Sequence, residues 1–106
     1  KAPSITWHGV QLYAPDWAHH SHSLAFELYH PDIHEHLHVM LNAYWEPLTF
    51  TLPAPRDGLH WRRIIDTNLP PPDDFRAPDD APPVEDGQYT VMPRSAVLLV
   101  GFEAGL

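Results

Sequence analysis

Residues 23–30 set the pattern of the chain: Leu24, Phe26 and Leu28 alternate with Ser23, Ala25, Glu27 and Tyr29. A period of two places each set on its own face of a β-strand. Leu37, Val39, Leu41 and Ala43 repeat the alternation, against His38, Met40, Asn42 and Tyr44 on the other face. Beyond a join at Trp45-Glu46-Pro47, Leu48, Phe50 and Leu52 alternate with Thr49 and Thr51, which predicts a half-buried strand. Further strands are predicted over 4–10, 61–67, 89–92 and 95–102. Pro15-Asp16, Pro31-Asp32 and Asp57-Gly58 punctuate them, the last being the sharpest hairpin cue. Pro93 marks an edge or bulge between the final two strands. With 13 prolines in the chain and no window of about 11 residues that keeps a helical period, helices are not expected. Six or seven short strands spaced by turn residues predict an all-β fold, an antiparallel β-sandwich. The run 96–100 is apolar on both faces, so its strand should be central or covered from outside the domain.

The 106 residues have room for one domain, taken as 1–106. Residues 68–87 stand apart, with six prolines and six acidic residues. Such a stretch has little to bury and reads as an extended surface loop. A long crossover between two sheets is the preferred role for it, with ligand binding as the alternative. The start at Lys1, in the approach to a strand, reads as a domain excised from a longer protein. Neither a secretory leader nor a membrane-spanning run is visible. The formal charge of −8, from 14 acidic and 6 basic residues, argues against nucleic acid and anionic membranes as partners. The absence of cysteine excludes disulfide and thiolate chemistry and is compatible with a cytoplasmic location.

Three kinds of chemistry are worth weighing. His34, His36 and His38 alternate, so on a strand their imidazoles would share a face about 7 Å apart, with His19, His20 and His22 as further ligands. Three histidines and an open position hold catalytic zinc. Against this, no glycine-framed motif surrounds them, and Pro31-Asp32 puts His34 and His36 close to a turn. A His-rich surface loop is the preferred reading and the metal site its alternative. Second, Trp45, Tyr44, Asn42 and Trp17 are candidate carbohydrate contacts, since aromatic planes suit glucose rings and amides suit hydroxyls. Tryptophans in a small sandwich more often fill the core or seal an interface. Third, glycoside hydrolysis needs two carboxyl groups about 5–9.5 Å apart. Most acids here fall in 68–87; Glu27 and Asp66 sit in strands without a recognisable partner, Asp66 being expected to pair with Arg62 or Arg63. No self-contained active site, and no cofactor, is expected.

Five segments carry a resemblance: Trp7-His8-Gly9-Val10, Pro15-Asp16-Trp17, Ser23-Leu24-Ala25-Phe26, the run 42–50 and the run 61–67, with 95–100 as a closing strand. In that order and spacing the chain resembles the C-terminal domain of bacterial isoamylase-type glycogen debranching enzymes, of the α-amylase clan. The resemblance implies a β-sandwich that follows a (β/α)8 barrel hydrolysing α-1,6 branch linkages. In such enzymes the catalytic Asp, Glu and second Asp lie on the barrel, whose motifs are missing here. The segments 19–22 and 34–38 depart from the pattern through their histidines. The implied role is a non-catalytic accessory domain whose partner is its own catalytic barrel. The alternatives are a stand-alone α-glucan-binding module or a His-rich metal-binding β-domain.

Overall fold

A computed structural model describes residues 4–12, 22–33, 35–55 and 58–103. Among these residues seven strands follow one another: β1 (Ser4–His8), β2 (Ser23–His30), β3 (Glu35–Asn42), β4 (Leu48–Thr51), β5 (Leu59–Asp66), β6 (Gln88–Val91) and β7 (Ser95–Glu103). Five form one sheet in the order β1-β2-β3-β7-β5, while β4 and β6 form a second, two-stranded layer. Every pairing is antiparallel. The molecule is an all-β sandwich with one broad layer and one narrow one.

β7 lies between β3 and β5; Val97 and Leu99 face the core, and Ala96, Leu98 and Val100 the opposite, outward face. The chain passes between layers four times, at 43–47, 52–58, 67–87 and 92–94. Trp45-Glu46-Pro47 joins β3 to β4 as expected, and does so between layers, because β4 pairs with β6 and not with β3. Two other turn readings are corrected. Gly58 adopts the left-handed φ of +75° that its lack of a Cβ permits, but β4 and β5 are not a hairpin; Asp57 lies outside the described residues. Pro93 and Arg94, the latter at φ 54°, form the corner that returns the chain to the broad layer. The Pro/Asp-rich segment is the crossover between sheets, and it is tied down. Asp66 N–H donates to Asp74 O and Arg76 N–H to Ile64 O, while Arg63 N–H donates to Pro82 O and Val84 N–H to Trp61 O. These bonds cover the outer edge of β5 twice, occupying backbone groups that an edge strand would otherwise present.

Ala25, Met40, Val97, Leu99 and Trp61 of the broad sheet pack against Phe50, Leu52 and Val91 of the narrow layer. Each fully buried aliphatic or aromatic side chain in such a core stabilises by roughly 1.5–3 kcal/mol. A bulge between Arg63 and Ile65 shifts the β5–β7 register, so Ile64 is buried while Ile65 turns outward.

The two faces of the broad sheet reverse ordinary expectation. The face against the narrow layer carries His8, Glu27, His36, His38 and Asn42, all buried, among its apolar residues. The outward face is apolar row by row. Trp7, Phe26, Val39 and Leu98 stand opposite one another with Ile65 beyond. In the next row are Ile5, Leu28, Leu37 and Val100, ending at Arg62, and in the third Leu24, Leu41 and Ala96. Ile5 is 57% exposed, Trp7 44% and Leu41 38%. The leucine sets of β2 and β3 do share one face, but not the core face.

Candidate functional site

The polar residues of the inner face converge on Glu27. In register, His8 of β1 stands opposite Ala25 and His36 of β3 opposite Tyr29, so each histidine is diagonal to Glu27 from its own side. His8 Nε2–H donates to one carboxylate oxygen at 2.7 Å, and His36 Nε2–H to the other at 2.6 Å. All three side chains are buried. Burial alone would raise the Glu27 carboxyl. The hydrogen bonds from His36 and His8, with their electrostatic attraction, outweigh it and bring the pKa down to about 2.

His38 lies directly opposite Glu27, yet neither of its ring nitrogens finds a hydrogen-bond partner among the described residues. Its ring stands edge-on to His8, with centroids 5.6 Å apart, and 6.0 Å from Trp61. Burial pushes its pKa down to about 4; the charge of His8 adds to the shift, Glu27 opposes it, and His36 adds slightly. Trp61 closes the cluster on the β5 side, 4.5 Å from His36, its indole N–H donating to Pro53 O. Gly101 allows this packing, since a Cβ there would come within 3.2 Å of Leu59 and 3.3 Å of His36 Cβ.

The sequence-predicted histidine set is thus only partly assembled. His36 and His38 share a buried face of β3, His36 close to its start, rather than lying in a surface loop. His34, with His19 and His20, lies outside the described residues. The partners that complete the cluster, His8 and Glu27, come from other strands. Among the described residues no group of three or more His, Asp or Glu side chains is arranged to hold a metal ion. The Nε2 atoms of His8 and His36 are directed at Glu27.

The carbohydrate candidates divide. Asn42 is 1% exposed. Its amide N–H groups donate to Glu46 O, Val91 O and Met92 O, and its Oδ1 accepts from Tyr44 N–H. It pins two interlayer crossings together and does not share an open face with Tyr44. Asn42→Ala, which leaves those groups without their partner, is expected to lower unfolding stability by about 2 kcal/mol in a urea titration. Trp45 is 71% exposed and meets Tyr44 at 5.8 Å, while Tyr44 stacks on His22 at 5.8 Å. Trp17 lies outside the described residues.

The other strand carboxylate, Asp66, does not follow the expected pairing with Arg62 or Arg63. It accepts a short hydrogen bond from Tyr89 O–H and another from Asn68 N–H. Burial, then the hydrogen bond to Asp66 and its charge, push the Tyr89 hydroxyl up to about 12, with Arg63 opposing in part. The two carboxylates buried among the described residues are therefore occupied by groups of the domain itself.

Residues 6–99 match the family described as "Isoamylase 1-3, C-terminal". Among curated proteins the chain is similar to isoamylase 1, chloroplastic, of Oryza sativa subsp. japonica, at 36% identity over 81 residues, covering 76% of this chain and 10% of that protein. The chloroplastic isoamylase 1 of Arabidopsis thaliana is 31% identical over 78 residues, 74% of this chain and 10% of the relative. Isoamylase SU1, chloroplastic, of Zea mays is 32% identical over 71 residues, 67% and 9% respectively. The chain spans about a tenth of the length of these relatives. All three are plant proteins, so the bacterial part of the sequence resemblance stays an expectation.

Proposed function

This chain belongs to the isoamylase 1-3 C-terminal domain family, and from that premise we propose that it is a non-catalytic accessory domain of a debranching glycosidase, stabilising the catalytic region to which it is joined. The observation that carries the reading is the match over residues 6–99 to a family of C-terminal domains, in relatives about ten times longer than the matched segment. The site geometry supports it. Glycoside hydrolysis needs two accessible carboxyl groups, one of them held protonated near neutral pH. Glu27 is instead ionised and sealed between two imidazoles, and Asp66 is buried against Tyr89. The proposed activity of the whole polypeptide is hydrolysis of α-1,6 branch linkages in glycogen or a related glucan. A cytoplasmic setting is part of the same proposal for a bacterial parent. The test is the full-length polypeptide with and without this domain. Without it, debranching activity should survive at low temperature but be lost earlier on heating, and the domain alone should release no reducing ends from branched glucan. Hydrolysis by the domain alone would overturn the proposal.

A second reading, direct contact with α-glucan, is favoured by one observation, the exposure of Trp45 beside Tyr44 and His22. An exposed indole next to a second aromatic plane suits the apolar face of a glucose ring. If it acts so, maltooligosaccharide should change the tryptophan fluorescence saturably, and Trp45→Ala should abolish the change while altering stability by no more than about 0.5 kcal/mol. A flat titration leaves the accessory role alone.

A further inference from the structure

The geometry points to the outward face of the five-stranded sheet as the surface on which the catalytic region of the same polypeptide docks. This inference rests on the accessory-domain reading above and deepens it by assigning the interface. Its centre is the row Trp7, Phe26, Val39, Leu98 and Ile65, which crosses all five strands without a polar residue. Rows on either side are apolar as well, apart from Arg62 at the β5 end of one and Thr67, hydrogen-bonded to Ala96, at the β5 end of the other. More polar residues gather beyond the second row, where His30 stands opposite Glu35 and His60 opposite Phe102.

Two features make this more than a hydrophobic surface. The first is the distribution of polarity within one sheet. Solvent-facing positions hold Leu, Val, Ile and Phe, while Glu27, His36, His38 and Asn42 are buried on the opposite face. A sheet with one wet face normally shows the reverse. The second is size. The rows hold five, four and three apolar residues, a footprint of roughly 400 Å² from strand and residue spacings. That is within the range of the largest apolar patch on monomeric proteins, where such patches mark interaction sites.

Charge and connectivity decide the occupant. A second copy would bring together two chains of formal charge −8 each, which disfavours self-association. A covalently joined neighbour has an effective concentration in the millimolar range and needs no such encounter. The relatives place this segment in polypeptides about ten times its length, which supplies a neighbour large enough to cover the face.

The test introduces a protease site between the catalytic region and this domain in the full-length polypeptide. After cleavage the two pieces should co-elute. Val39→Glu at the centre of the face, and Trp7→Asp at its β1 side, should each weaken their association at least tenfold. Thr49→Glu on the narrow layer should leave it unchanged. Free separation of the wild-type pieces, or co-elution unaffected by Val39→Glu and Trp7→Asp, would overturn the interface while leaving the debranching assignment intact. An upstream region that is no glucan hydrolase would fail the assignment and not the interface. The 106-residue chain alone supplies two further outcomes. If it sediments as a dimer that Trp7→Asp converts to monomer, the face is a self-interface and the inference falls. If Val39→Glu and Trp7→Asp both unfold the chain by circular dichroism, the face is already covered within it, which overturns the inference equally.

Discussion

Glu27→Ala is expected to destabilise the domain by about 3–5 kcal/mol, the range for removing one member of a buried, hydrogen-bonded charged set. Two imidazole N–H groups lose their acceptor, and the side chain leaves a void at a site that is 1% exposed. For a domain whose total stability is expected at about 5–15 kcal/mol, this is a large share. Glu27→Gln keeps the volume but turns an amide N–H toward one of the two imidazole donors, and should cost about 1–3 kcal/mol. Chemical denaturation midpoints would rank wild type, Gln and Ala in that order. An alanine variant within about 0.5 kcal/mol of wild type, the range of a neutral surface change, would show that the clamp does not hold the sheet together.

Acid should weaken the fold well above the range in which ordinary carboxylates titrate, through His38. Its pKa lies near 4 in the folded domain against an ordinary 6.5. Between those values the unfolded chain binds a proton that the native one refuses, so stability rises with pH through this window. It is therefore lost as pH falls from 6.5 to 4, by about 3 kcal/mol at full extent. Glu27 acts lower. Its depressed pKa contributes stability that is complete above 4.5 and lost as pH falls toward 2. His38→Leu fills a similar volume without orphaned ring nitrogens. It should flatten the upper limb of the urea midpoint against pH and leave the lower one in place. It should also raise stability at neutral pH by about 1–3 kcal/mol, the cost of an unsatisfied buried polar group. A variant that keeps the full loss between pH 6.5 and 4 would place the titrating group elsewhere.

The strands were legible because turn residues and alternation are local signals. Ser23–His30 was read residue for residue, and the two-sided apolar run at 96–100 correctly implied a strand with neighbours on both sides. What alternation does not say is which of two faces the domain itself buries. In β2 and β3 the leucines formed the obvious greasy stripe, yet the buried stripe holds Glu27, His36 and His38. Their burial is tolerated because Glu27 meets His8 and His36, a meeting that depends on register between three strands and on a histidine 19 residues away from the carboxylate. No local pattern carries that. Asn42 misled for a related reason. It sits between Leu41 and Ala43 as an ordinary polar position, but its acceptors include Val91 and Met92, which the chain reaches only after three crossings between layers.

The position of β7 has a consequence for how the molecule is made. It pairs with β3 on one side and β5 on the other, and it is the last of the seven strands to leave the ribosome. Until Ser95–Glu103 emerges, β1-β2-β3 and β5 are separate fragments with open edges. The ladder that joins them must bring Leu37 against Val100 across most of the chain. Loop closure of that length slows assembly and lengthens the exposure of unpaired strands. The nascent chain therefore completes its broad sheet only after synthesis has passed Glu103, when β7 fills the gap between β3 and β5.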